Sequence, residues 1–299
     1  MVLICNMRAG RGATARVLPE LRRFLDERAL EHRTVATEAP GDATRLARAA
    51  LDDGTRFVVA VGGDGTVNEV VNGMLEDDRP VRVDAVMGVV ATGVARDFIR
   101  TFGMPATPSH AAAHLDGPES FSIDIGKITC AGDGADVVRY FANVAQAGLG
   151  ACVARRAGRA RGLLGALTYP AAFWVEAVRS RSPAATVDLV DKRYEGPVRN
   201  LVVANGQFSG AGMKLAPRAA PTDGVLDVQI HFLGAREAIA IMPKAYRGEH
   251  VPHPEIREAK RVRVSIESER PLPVEADGEE VGVTPATFEL LRDALRLKV

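Results

Sequence analysis

Residues 57–73 read FVVAVGGDGTVNEVVNG, and the fold turns on this stretch. Phe57 to Val61 is an apolar, β-branched run with the composition of a buried strand. It breaks at Gly62-Gly63-Asp64-Gly65-Thr66 and resumes at once with helical spacing, TVNEVVNGML, for which Thr66 is a candidate cap. A strand, a glycine turn and a helix make one unit of a parallel α/β sheet. Glycines there let a ligand approach the backbone, and the free N–H groups at the helix start favour an anion. The aspartate is the odd residue. Asp64 repels a phosphate unless a divalent cation stands between them, and carboxylate, Mg²⁺ and phosphate together are the arrangement of phosphoryl transfer.

Working outward, the same alternation fills the first 120 or so residues. VLIC (2–5) reads as a strand. ATARVLPELRRFLDERAL (13–30) reads as a helix with Val17, Leu21, Phe24 and Leu25 on one face. RTVAT (33–37) is a second strand, and GDATRLARAALDDG (41–54) a helix with Asp42 as N-cap and Gly54 as stop. AVMGVV (85–90) is a strand before ARDFIRTFG (95–103). TPSHAAAHLDG (107–117) opens with a threonine cap and a proline, a helix-start signature.

Three of the four strands therefore run into glycine loops: NMRAGRG (6–12), GGDGT (62–66) and ATGVARD (91–97). In a parallel sheet these loops share the carboxyl edge, where ligands bind. Asn6, Arg8, Gly10, Gly62, Gly63, Asp64, Gly65, Thr66 and Gly93 are the candidate nucleotide-binding residues, with Arg8 and Arg11 adding positive charge. One such loop alone is an ordinary turn; three on one edge favour a nucleotide. The chain has no GxxxxGK[ST] and no GxGxxG, which disfavours a P-loop NTPase and a Rossmann dehydrogenase.

Near Phe121 the pattern changes to strands and turns, among them FSIDIGKITC, VVRYFANVA, VRNLVVANG, GVLDVQIHFL and RVRVSIES. Alternation with Gly/Asp/Pro punctuation predicts an antiparallel β domain, interrupted by helices near Leu163–Ser180 and Ala235–Arg247. The expected domains are an α/β half over 1–125 and a β-rich half over 126–299, with the last strand a candidate to return to the first half.

Bulk composition narrows the function. The chain has 299 residues, 46% hydrophobic and 25% charged, as in a soluble globular protein. Lys plus Arg and Asp plus Glu both number 38, so net charge is +0, which argues against a nucleic-acid partner. Cys5, Cys130 and Cys152 are far apart and outside CxxC spacing, as expected of reduced cytosolic thiols. The N-terminal apolar run is too short for a signal peptide, and no stretch reaches the roughly 20 apolar residues of a membrane-spanning helix. The richest candidate, GLLGALTYPAAFWVEAV, holds a proline and a glutamate. The expected location is the cytoplasm.

These residues carry a family resemblance. VVAVGGDGTVNEVVNGM (58–74) resembles the nucleotide signature of the diacylglycerol kinase catalytic domain family, which includes sphingosine and ceramide kinases. NMRAG, GVVATGVARDFIRTFGMP, FSIDIGK, GAGMKLAPRAAPTDGVLDV, RGEHVPHPEI and VEADGEEVG match its further elements in order, over nearly the whole chain. The resemblance implies an α/β plus β architecture. An NAD kinase-like nucleotide domain would precede an antiparallel β-sandwich, with an interdomain cleft. It implies ATP and Mg²⁺ as cofactors and a lipid substrate at the membrane surface, with peripheral association at the inner face and a homodimer as a possible assembly. It implies Asp277 as the base that takes the lipid hydroxyl proton, and Glu279 beside it. Glu279 would join Asp64, Asp97 and Asp124 around magnesium, and Asp223 would sit at a structural metal.

Departures mark this chain. Met7 replaces the proline of the first loop, Val94 a threonine and Arg96 an asparagine of the third. Gly150 stands where the family often has aspartate, and Thr222 replaces the first acid of a pair whose second is Asp223. Other readings stay open. ADGEE is also a good β turn. Arg155, Arg156, Arg159 and Arg161 read as a solvated turn before a core helix bearing Phe173 and Trp174, or as a contact for anionic headgroups. His250 and His253 read as structural or surface residues. An NAD kinase-like phosphotransferase and a non-catalytic nucleotide- or lipid-binding regulator are the alternatives.

Overall fold

The computed structural model describes residues 1–105, 107, 113–160 and 168–299. The chain divides into two compact units, Met1–Ile125 with Leu291–Val299, and Gly126–Leu290.

In the first unit β1 (Val2–Cys5), α1 (Ala9–Glu27), β2 (Arg33–Ala36), α2 (Asp42–Asp52), β3 (Phe57–Gly62) and α3 (Asp64–Met74) follow one another. A two-residue pair, β4 (Leu75–Glu76) and β5 (Arg79–Pro80), leads to β6 (Val86–Ala91) and the short α4 (Asp97–Thr101). The sheet runs β2-β1-β3-β6, all parallel. Its next member is the end of the chain, where Arg296 and Leu297 pair in parallel with Val86 and Met87. β1 pairs with β2 on one side and β3 on the other. Successive crossovers therefore leave β1 in opposite directions, and this is where a parallel sheet opens a crevice at its carboxyl edge.

Leu3, Cys5, Val59, Val61 and Val90 pack on Leu18, Leu21 and Leu25 of α1. The buried stripe is Thr14, Leu18, Leu21 and Leu25; Val17 and Phe24, expected on it, are half-buried flanks. Gly10, Arg11 and Gly12 are left-handed, so regular helix begins after Gly12. Asp42 is the first helical residue, not the cap. Gly41 is the cap, and Asp42 Oδ2 instead accepts the N–H groups of Glu38 (2.8 Å) and Ala39 (3.0 Å). Thr66 likewise is not a cap. Gly63 holds that position, and Thr66 lies buried in the first turn of α3.

The second unit contains β7 (Ser120–Ala131), which begins in the first unit, β8 (Asp136–Phe141), β9 (Val144–Gly148), α5 (Leu149–Arg159) and α6 (Thr168–Arg179). Then come β10 (Ala184–Asp188), β11 (Arg193–Pro197), β12 (Asn200–Ala204), β13 (Leu226–His231) and α7 (Ala235–Ala245). β14 (Ile256–Arg261), β15 (Arg263–Ser268), β16 (Pro273–Ala276) and β17 (Glu279–Lys298) end the chain. One antiparallel layer is β14-β13-β12-β9-β16. The other carries β11, β10, β15, β17, β7 and β8.

Strand alternation assigns the two faces of the first layer. Ala145 and Ala147 of β9, Leu201 and Val203 of β12, Val228 and Ile230 of β13, and Val274 and Ala276 of β16 face the sandwich core. They meet Val187, Val264, Ile266 and Phe288 there, all buried. The intervening residues turn to the opposite face, which α5, α6 and α7 cover through Leu149, Val153, Ala172 and Ala238.

α5 was not foreseen. Arg155, Arg156 and Arg159 lie on this helix, not in a solvated turn, and pair through Arg155 with Glu280 and Arg156 with Glu176. Arg161, the beginning of the expected Leu163–Ser180 helix and residues 108–112 of the expected 107–117 helix lie outside the described residues. Among the described residues no helix is long and apolar enough to cross a membrane.

Candidate active site

The three glycine loops of the first unit are stitched together. Asn6, following β1, donates from Nδ2 to Thr66 Oγ1 at 3.2 Å and accepts the Arg8 N–H on Oδ1 at 3.1 Å. Thr14 Oγ1 and Thr92 Oγ1 share a hydrogen bond of 2.6 Å. Asp64 Oδ1 accepts the Phe98 N–H at 2.9 Å. The loops also touch where side chains would not fit. A Cβ at Gly93 would stand 2.7 Å from Gly63 Cα, and one at left-handed Gly10 would stand 2.1 Å from the Thr92 carbonyl oxygen. Gly62 ends β3, Gly63 is the turn and Gly65 lies in the first turn of α3, while Arg8 and Arg11 of the first loop are exposed. Backbone N–H groups at a helix start with exposed cations on a neighbouring loop are chemistry suited to an anion such as phosphate.

The acids of this unit have assigned partners. Burial pushes the Asp64 carboxyl up, opposed by backbone N–H bonds from the start of α4. Asp97 is the buried first residue of α4. Asp124, buried on β7, accepts the Asp293 N–H on Oδ1 at 2.9 Å. Among the described residues no three His, Cys, Asp or Glu side chains are grouped to cage a metal. Magnesium usually binds through one or two carboxylates plus substrate phosphates. Asp64 and Asp97, on adjoining cradle loops, fit that more open donor set.

In the second unit Asp277 and Gly278 form a two-residue left-handed turn between β16 and β17, with φ of 47° and 87°. This is the geometry of a tight hairpin. The Asp277 carboxylate accepts three backbone N–H bonds, from Ala142 (2.8 Å), Asn143 (2.9 Å) and Val144 (3.0 Å). Glu279 Oε2 lies 3.4 Å from Arg139 Nη2. So Asp277 and Glu279 share one turn, and that turn is clamped to the loop between β8 and β9.

The helix-covered face of the first layer carries a partly open pocket. Leu149, Val153, Phe173, Leu233, Ile241 and Met242 supply apolar walls. The sheet supplies a polar floor that the sequence reading missed: Gln146, Asn200 and His231. Gln146 and Asn200 are lone polar residues in buried apolar strands, and that interruption was their only sequence signal; His231 ends the alternating strand LDVQIH. His231 and His250 both donate from Nε2 to Gln229 Oε1, at 3.1 and 3.3 Å, because Gln229 Nε2 is committed to the Leu215 carbonyl. Burial pushes His231 down to about 3, with His250 and His253 adding to the effect, so it is neutral. His253 instead accepts the Glu255 N–H on Nδ1, away from this pair.

Comparison with known proteins bears on both units. Residues 1–128 match the diacylglycerol kinase catalytic domain and residues 143–299 the YegS C-terminal NAD kinase beta sandwich-like domain. A diacylglycerol kinase of Staphylococcus carnosus is 30% identical over 99% of this chain and 93% of its own. The chain belongs to the diacylglycerol kinase family. A Bacillus subtilis diacylglycerol kinase is 29% identical over 96% of this chain and 91% of its own. A solved diacylglycerol kinase of Bacillus anthracis shares the fold with a TM-score of 0.71 at 20% identity, over 99% of this chain and 95% of that one. A second solved Bacillus anthracis chain reaches 0.78 at 22%, over 99% and 96%.

Within this lipid kinase family the departures acquire physical reasons. Arg96 takes a left-handed backbone, φ 58°, that asparagine adopts more readily, and its Nε donates to the Gly93 carbonyl at 2.9 Å. The guanidinium shapes the third loop, while Val94 is exposed. A Cβ at Gly150 would lie 2.0 Å from Gln146 Oε1, so an aspartate there requires the Gln146 amide to move. Asp223 meets an ammonium. Lys260 Nζ stands 2.7 Å from Asp223 and 3.3 Å from Asp227.

Proposed function

We propose that this chain is an ATP- and Mg²⁺-dependent lipid kinase that transfers the γ-phosphoryl group to the hydroxyl of diacylglycerol or a related glycerolipid or sphingoid lipid. The observation that carries the acceptor class is the apolar-walled pocket under α5, α6 and α7. Its apolar walls and single polar floor suit an acyl chain with one oriented head, not the polar length of a dinucleotide.

The nucleotide phosphates would lie on the N–H groups of the Gly62–Thr66 and Gly93 loops, with Asn6 and Gly10 at one side and Arg8 over the anion. Asp64 and Asp97, with Asp124 as a further candidate, would hold magnesium, which would neutralise phosphate charge during transfer. Asp277 would accept the proton of the attacking hydroxyl. Three backbone N–H bonds fix its direction. Catalysis of this kind is mostly positioning and charge stabilisation.

The protein would work at a membrane surface, peripherally at the inner face. Helix α6 lends Phe173 to the cavity wall and exposes Trp174, Val175 and Val178. Exposed Arg179 and Arg181 follow them, a composition suited to an anionic lipid interface.

The test is incubation with γ-labelled ATP, Mg²⁺ and separate pools of diacylglycerol, ceramide and NAD, resolved by thin-layer chromatography. Label is expected in lipid and absent from NAD. Labelled NAD, or a labelled lipid made equally well by folded Asp277→Asn, overturns the assignment.

A further inference from the structure

Glu275 is fully buried on β16, two residues before the turn that carries Asp277. It points to the helix-covered face, in register with Gln146 of β9. Four hydrogen bonds run through it. The Gly150 N–H donates to Asn200 Oδ1 (2.9 Å), and Asn200 Nδ2 donates to Gln146 Oε1 (2.9 Å). Gln146 Nε2 donates to Glu275 Oε1 (2.7 Å), and the Gly278 N–H donates to Glu275 Oε2 (2.7 Å). Backbone N–H groups anchor both ends, so every amide orientation between them is determined. Gly150, Gln146 and Asn200 line the lipid cavity, and Gly278 is half of the turn beside Asp277.

We infer that Glu275 is a positioning residue, the terminus of a buried amide relay through which the floor of the lipid cavity sets the placement of the Asp277 turn. The inference rests on the kinase reading above only in giving Asp277 its role. A lipid head that presses on Gln146 or Asn200 displaces groups whose bonds are already committed, and the displacement ends at Gly278. Buried polar chains transmit position in this way because breaking any one link leaves an unsatisfied group in a dry interior. Ordinary packing does not require the arrangement, since apolar residues of similar shape would fill the same space without directional bonds.

The donor order supplies the test. Above pH 8, where the Glu275 carboxyl is ionised and accepts from both Gln146 and Gly278, Glu275→Gln places an N–H₂ against a donor and frustrates the relay, and so does Asn200→Asp, which sets a second acceptor against Gln146 Oε1. Together they satisfy every link with Gln146 reversed, since the amide at 275 can donate to Gln146 and the carboxylate at 200 can accept from it. With dioctanoylglycerol and ATP, each single variant is expected to lose about 10²-fold in kcat with lipid KM within about threefold. The double variant should recover at least about tenfold of that loss. Circular dichroism checks that each variant is folded. Singles with kcat within about threefold of wild type, or a double no better than the worse single, overturn the relay.

A second readout needs binding only. Dioctanoylglycerol should slow amide exchange in the peptide spanning residues 276–281 of wild type and not of Glu275→Gln. Equal slowing in both, or none in wild type, also overturns it. A wild type that labels no lipid removes the kinase reading, while the exchange comparison still decides the relay.

Discussion

Asp64 Oδ1 accepts the backbone N–H of Phe98 at 2.9 Å, so the carboxylate of the second ligand-edge loop caps the helix that follows the third. One acid thus has two separable tasks, an intramolecular cap and a charge at the cradle. Asp64→Asn keeps an acceptor for Phe98 and removes the charge. It should retain the wild-type melting temperature within about 2 °C and lose at least about 10²-fold in kcat. Asp64→Ala loses the cap as well, about 1 kcal/mol, and should melt about 2–4 °C lower. Differential scanning calorimetry beside the kinase assay separates the two, and an Asn variant as active as wild type would remove Asp64 from the chemistry.

Gly93 and Gly63 touch through their backbones, leaving 2.7 Å between a Cβ at 93 and Gly63 Cα. Gly93→Ala must spread the two loops. ATP affinity by calorimetry should fall at least about tenfold, or about 1.4 kcal/mol, while the cavity of the second unit keeps its lipid affinity. Unchanged ATP affinity would show that the cradle tolerates opening and does not grip phosphate through this contact.

Burial raises the Glu275 carboxyl to about 8 from 4.5, with the charge of Asp277 adding to the rise against the bonds from Gly278 and Gln146. The folded chain therefore holds this proton more tightly than the unfolded one. Stability from the protonated group is fully present below about 4.5 and is lost as pH climbs through 8. His231 acts in the opposite sense. Its stabilising neutral form is favoured above 6.5 and lost as pH falls toward 3. Between pH 6.5 and 8 Glu275 titrates and His231 does not, so urea midpoints should decline with rising pH there. Glu275→Gln should flatten the decline. An equal slope in the variant would assign it to other groups.

Ala238 is buried on α7 at the cavity wall. Ala238→Phe fills that space at a stability cost of about 1–3 kcal/mol. The ratio of kcat/KM for dioleoylglycerol to that for dioctanoylglycerol should fall at least about tenfold, with KM for ATP unchanged. Equal loss on both lipids would place the acyl chain elsewhere.

Trp174 and Val178 are 49% and 68% exposed on α6. Trp174→Glu together with Val178→Glu should abolish sedimentation with vesicles containing anionic phospholipid, while activity on detergent-dispersed dioctanoylglycerol remains. Full vesicle binding by the double variant would move the membrane contact to another face.

Much of the first unit was legible in sequence because its signals are local. A β-branched run, a glycine break and a 3.6-residue period specify strand, loop and helix without reference to distant residues. That is why NMRAGRG, GGDGT and ATGVARD could be placed on one sheet edge before any coordinates. Helix caps were less legible, as Asp42 and Thr66 show, since the competing glycines at 41 and 63 are equally good candidates. α5 was hidden by its arginines, whose partners Glu176 and Glu280 lie far along the chain.

The sequence by itself determined the strand–loop–helix grammar, the succession of family elements and the acids at Asp64, Asp97, Asp124, Asp277 and Glu279. Hydrophobic period and backbone permissiveness are written residue by residue. Only the tertiary structure decided what those acids touch and which polar residues face the cavity. Gln146 and Glu275 are 129 residues apart, and Gln146 and Asn200 are 54 apart. A hydrogen bond between buried groups is chosen by sheet register and by the exclusion of water, and both exist only once the layers have packed.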